Sequence, residues 1–222
     1  MNRLIRPIAA AAIALSAVAA GFATTSAAVA VPSAPADSTL AVATASDLRA
    51  TLNALLQEHV YLAAGATGAA LGGRNAEFQA AASGLDANSV DLSKAIGSVY
   101  GNDAGTAFLA LWRKHIGFVV DYTTGVATND AAKKTKAVND LVQYTQDFGA
   151  FLSSANPNLP KAAVADLVKT HALTLKDVID AQGAKDQTRA YTAMRTAAGH
   201  MRMIADPLAE AIAKQFPEKF AM

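Results

Sequence analysis

The sequence contains no cysteine. That absence removes disulfides, thiolate metal sites and a lipid-attachment cysteine together, so the fold must be held by its core alone. Aromatic residues make up 6% and charged residues 17% of the 222, with 19 Lys+Arg against 18 Asp+Glu. The two signs are interleaved along every segment, whereas a binder of phosphate backbones needs a basic patch that releases counterions. Nucleic acid is therefore not an expected partner. Several catalytic signatures are missing as well: there is no nucleophile elbow, Walker loop, dinucleotide fingerprint or His-Glu-x-x-His. The Glu-x-x-His of di-iron bundles is also missing, since Glu58 adjoins His59 instead of preceding it by three. A hydrolase or lyase using one His as general base would need a nucleophile or acid at a matching helical offset, and none stands there. Most enzyme classes lose support.

What is present is an Ala-rich chain, 52% hydrophobic, whose composition is that of an ordered, helix-prone single domain. Residues 1–30 stand apart. Arg3 and Arg6 form a basic start, Ile8 to Ala23 is an apolar run, and Ala28-Val29-Ala30 suits a small-residue cleavage site, which together predict a secretory signal peptide. The run falls short of the roughly 20 residues a membrane-spanning helix needs, so an uncleaved anchor is the poorer reading and no transmembrane segment is expected in the mature chain. Cleavage would remove two positive charges, leaving 19 − 2 = 17 Lys+Arg against 18 Asp+Glu, a net of −1. Residues 31–45, rich in Pro, Ser, Thr and Ala, read as a flexible leader.

The remainder is organised by one spacing. His59, His115 and His171 are each 56 residues apart (115 − 59 = 171 − 115 = 56), and the segments around them align without a gap. Ser46, Asn102 and Asn158 repeat at the same interval and are residue types that cap helices. From each cap the apolar positions follow a helical period, and each His falls on the apolar stripe, for example Leu52, Leu55, Leu56, His59, Leu62. Turns are expected near Gly72-Gly73, Asn129-Asp130 and Gly183-Ala184, each followed by a second helix. In the last of these, Leu208 to Ile212 matches Leu92 to Ile96 at a spacing of 116, as if one helical turn were inserted near Gly183. Pro207 should kink that helix by removing a bond to Met203. The expected fold is an all-α, up-and-down six-helix bundle built from three tandem hairpins of about 56 residues, at 46–101, 102–157 and 158–218.

Equivalent helices place the three imidazoles at one height. If the hairpins close around a pseudo-threefold axis the rings converge into a His₃ set; in an open solenoid they are too far apart to share an ion. His200 falls near the level of His171, and its counterparts in the ungapped register are Asn88 and Tyr144. Met201 and Met203 adjoin His200, and imidazole with thioether suits copper better than calcium or magnesium. The candidate ligands are thus His59, His115, His171, His200 and Met203. Asp121 and Asp177, six residues after their histidines, rotate about 240° away from the His face and read as solvated. The sequence supports an exported protein, periplasmic, cell-envelope or extracellular, that binds copper or zinc, or less readily haem, for sequestration or delivery. Ordinary imidazole ligands would release metal as pH falls below about 6.5. The competing reading is a structural or interaction module of the cell envelope, docking on a protein partner, in which the histidines only pack.

Overall fold

The computed structural model describes residues 44–220. The expected signal peptide and most of the leader lie outside the described residues. Six helices follow one another: α1 (Ala45–Leu71), α2 (Asn75–Tyr100), α3 (Asn102–Ala127), α4 (Ala131–Ala155), α5 (Lys161–Gly183) and α6 (Gln187–Gln215). No described helix is long and apolar enough to cross a membrane.

The helix starts differ from the expected caps. Thr44, not Ser46, caps α1: its hydroxyl accepts from the Asp47 N–H at 3.1 Å while the Asp47 carboxylate accepts from the Thr44 N–H at 3.0 Å, a reciprocal box. Asn102 is the first helical residue of α3 behind Gly101, which has φ 93° and no side chain to cap with. Asn158 lies in a turn. The buried Asn156 amide oxygen accepts from the Asn158 N–H at 2.9 Å, and α5 begins only after Pro160, whose ring suits a helix entrance. Two prolines at 157 and 160 thus shorten the third helical start by about one turn.

The turns inside the hairpins carry the period instead. Arg74, Asp130 and Asp186 each donate a backbone N–H to the carbonyl five residues back, on Ala69, Gly125 and Ala181. Just before them Gly73, Asn129 and Lys185 all have positive φ (68°, 53° and 58°), so one left-handed residue closes each helix in the same way. These positions are 56 apart throughout (129 − 73 = 185 − 129 = 56). There is consequently no inserted turn near Gly183, and the apparent slip of the third repeat arises later, within α6. That helix has 29 residues against 26 and 25 in α2 and α4, and it continues through Pro207.

Packing closes the ring. Each helix packs on the next, and α6 packs back on α1; in addition α1, α3 and α5 touch one another, whereas α2, α4 and α6 do not. The result is an inner triangle of odd-numbered helices with an even-numbered helix seated over each edge, which settles the choice between bundle and solenoid in favour of a closed pseudo-threefold bundle. Glycines let the repeats approach at their joins: a Cβ at Gly105 would lie 2.8 Å from the Ser93 carbonyl, and one at Gly149 would lie 2.6 Å from that of Lys161. The core runs along the axis, with Leu52, Val60, Leu92, Ile179, Met201 and Ile212 among its least exposed side chains.

Candidate metal centre

The height of each histidine is set by the turn that follows it. His59, His115 and His171 each lie twelve residues before the end of their helix (71 − 59 = 127 − 115 = 183 − 171 = 12), so three identical turns align them although the helix starts do not. On the inner face of the triangle all three are buried, at 1%, 5% and 5% exposure. Their ring centroids lie 5.3 Å (59 to 115), 5.7 Å (59 to 171) and 6.5 Å (115 to 171) apart. One ring nitrogen from each falls within 4.8 Å of the others, and His59 Nε2 is 3.4 Å from His115 Nε2. Two metal bonds of about 2.0 to 2.1 Å meeting near the tetrahedral angle span about 3.4 Å. The pair therefore already has ligand spacing, and the third imidazole completes the set with a shift of about an ångström.

The polar groups here are poorly satisfied by the protein itself. His59 Nδ1, His115 Nδ1 and both nitrogens of His171 are buried with no hydrogen-bond partner, as are Trp112 Nε1 and the Tyr144 hydroxyl. A buried group left unpaired costs about 1 to 3 kcal/mol, and six of them in one layer are a large burden for a domain stable by about 5 to 15 kcal/mol. The 3.4 Å contact can serve as one His–His hydrogen bond, but that leaves His171 without a partner on either nitrogen. The aromatic shell is close: Trp112 stands edge-on to His59 (5.0 Å) and His115 (4.5 Å), and Tyr144 lies 5.2 Å from His115.

Burial keeps the rings neutral. It is the largest influence on each, followed for His59 by the nearby His115 and His171, for His115 by His171, and for His171 by His200. His59 is held well below the usual histidine range, His115 is lowered to about 3 and His171 to about 4. The Trp112 carbonyl one turn back pulls His115 the other way, without reaching good hydrogen-bond geometry to Nδ1. Burial likewise raises the Tyr144 phenol well above its ordinary value. No carboxylate is buried among the described residues, so three neutral imidazoles form the donor set.

His200 and Met203 stand outside this group. His200 Nε2 is 3.0 Å from the Leu167 carbonyl, and that oxygen can only accept, so this nitrogen carries the proton and is not itself free for a metal. Asn88 makes the same bond in the first repeat: its amide donates to the Leu55 carbonyl at 2.9 Å, and the offsets agree (88 − 55 = 200 − 167 = 33). Both carbonyls lie four residues before a triad histidine, so Asn88 and His200 tie an outer helix to an inner one beneath the site. Tyr144 holds the third equivalent position but turns its ring against His115. Met203 is 58% exposed, while its neighbour Met201 is fully buried in the core. Asp121 and Asp177 are exposed, as expected. Trp112 stands three residues before His115, on the same helical face, and that spacing is the sequence signal for its place beside the triad.

No family model, curated protein or solved structure matches the chain. The site must be read from its own chemistry.

Proposed function

We propose that the protein binds one metal ion through His59, His115 and His171 and serves to sequester or deliver it outside the cytoplasm, without catalysing a reaction. The observation that carries this reading is the convergence of three buried imidazoles, with His171 unpartnered on both nitrogens, at the centre of a triangle formed by equivalent helices. The supporting case for export is the basic, apolar and small-residue pattern of residues 1–30.

Charge favours copper(I) over zinc. With no buried carboxylate to compensate it, the whole ionic charge must be held in an apolar core, and that cost grows as the square of the charge, about fourfold from a singly to a doubly charged ion. Copper(I) also accepts three-coordinate imidazole sets, whereas a structural zinc site closes with four protein ligands. Haem does not fit. The chamber beside the histidines is about 30 Å3, against about 300 Å3 or more for pockets that hold drug-sized molecules.

The lowered pKa values change the expected pH range. Metal binding requires neutral imidazole; His59 is held well below the usual range, and of His115 and His171, lowered to about 3 and about 4, His171 takes a proton first as the pH falls. Binding therefore persists well below pH 6.5. The test is metal analysis with anaerobic copper(I) and aerobic zinc titration of the protein beside a variant with all four histidines changed to Ala. One copper(I) per chain in the protein and none in the variant is expected. Equal binding by both, or binding by neither, would leave the envelope-module reading, in which the histidines only pack.

A further inference from the structure

Resting on the metal reading above, we infer that a copper(I) ion at the triad keeps one coordination position open to an apolar chamber, which admits a small uncharged diatomic molecule as a further ligand. The chamber lies on the pseudo-threefold axis and all six helices contribute to its wall. His115 and His171 form part of that wall, so the chamber touches two of the three metal-binding rings directly. The rest lies on the side where α1, α3 and α5 begin, since Leu56, Trp112 and Val168 each precede a triad histidine by three residues (59 − 56 = 115 − 112 = 171 − 168 = 3).

Size and chemistry restrict what can enter. A water needs about 10 to 15 Å3 on this scale, and the chamber of about 30 Å3 holds something about twice that size. Its wall is almost wholly carbon and carries no charged side chain, so ions are rejected by desolvation. An uncharged diatomic does not meet that obstacle. Three imidazoles leave copper(I) short of four ligands, and its filled d shell donates into the empty π* orbitals of carbon monoxide and molecules like it. Zinc(II), which does not donate in that way, would leave the chamber without this use. No bond within the diatomic breaks and no electron is transferred; the step is addition of a ligand.

The test is infrared spectroscopy of the protein loaded with copper(I) and exposed to carbon monoxide without oxygen, with the copper content measured on the same samples. One narrow carbonyl band is expected from the copper(I) protein and none from the metal-free protein. Val168→Ile and Leu208→Phe, which build into the chamber from α5 and α6, are expected to keep one copper per chain and to weaken carbon monoxide binding by at least about tenfold. Copper bound without a carbonyl band would overturn this inference and leave the metal reading standing. A band unchanged by both variants would place the diatomic elsewhere and overturn it too. Absence of copper would overturn both.

Discussion

The three hairpin turns and the three histidines carry the same 56-residue period, but each preserves a different thing. In the turns the residue changes, Gly73 to Asn129 to Lys185, while the left-handed backbone and its hydrogen bonds stay the same. In the central layer the imidazole is the same in all three repeats while its neighbours Glu58, Lys114 and Thr170 have drifted. Backbone amides alone can hold a turn, so its side chains are free to differ. Nothing in the backbone of an inner helix asks for imidazole, and a buried ring nitrogen without a partner costs stability. The turn is retained as geometry, and the layer is retained as chemistry.

Acid should separate the two regions most strongly. With folded pKa values below the unfolded value of about 6.5, the three rings are neutral in both states above that pH and contribute no pH dependence. Below it the unfolded chain takes up protons that the folded chain refuses, so stability falls. At pH 5 the loss for three such groups is about 6 kcal/mol relative to pH 7.5. Denaturant unfolding of the metal-free protein at the two pH values measures it, and a pH-independent midpoint would show that the rings are already solvated. Replacing the layer with His59→Leu, His115→Leu and His171→Leu together should abolish that dependence. It should also raise stability at pH 7.5 by about 3 kcal/mol, because apolar side chains of similar size remove the unpaired nitrogens. A less stable triple variant would mean that the imidazoles are partnered.

Smaller effects test the turns and the ties beneath the site. Lys185→Gly should stabilise by about 1 kcal/mol by relieving a left-handed lysine, and Gly73→Ala should cost about the same, both readable as shifted denaturant midpoints. Should both be neutral, the turns do not impose the common backbone. His200→Asn, which copies Asn88, should change stability by less than about 1 kcal/mol and leave copper stoichiometry unchanged, whereas loss of copper would return His200 to the ligand set.

Much of this was legible in the sequence. The apolar stripes announced the six helices, and the interval from His59 to His115 to His171 announced their shared height. Closure was not legible, because helical periodicity says which face is buried and not how many helices surround an axis; it is the packing of α6 on α1 that brings the rings together. The capping assignments slipped because cap residues are common, and Thr44 with Asp47 competed with Ser46, while Pro157 and Pro160 moved the start of α5. The equivalence of the turns was hidden at Lys185, a residue type that gives no left-handed signal. His200 has the right level along the bundle for a fourth ligand, but the convergent group consists of the other three rings, and its Nε2 bonds the Leu167 carbonyl, a partner that sequence pattern does not show.

X-ray absorption at the copper edge of the copper(I)-loaded protein tests the central claim most directly. Three nitrogen neighbours at about 2.0 Å, with no sulfur, are expected from a site built by His59, His115 and His171. A sulfur neighbour, or fewer than three nitrogens, would contradict the triad as the binding site.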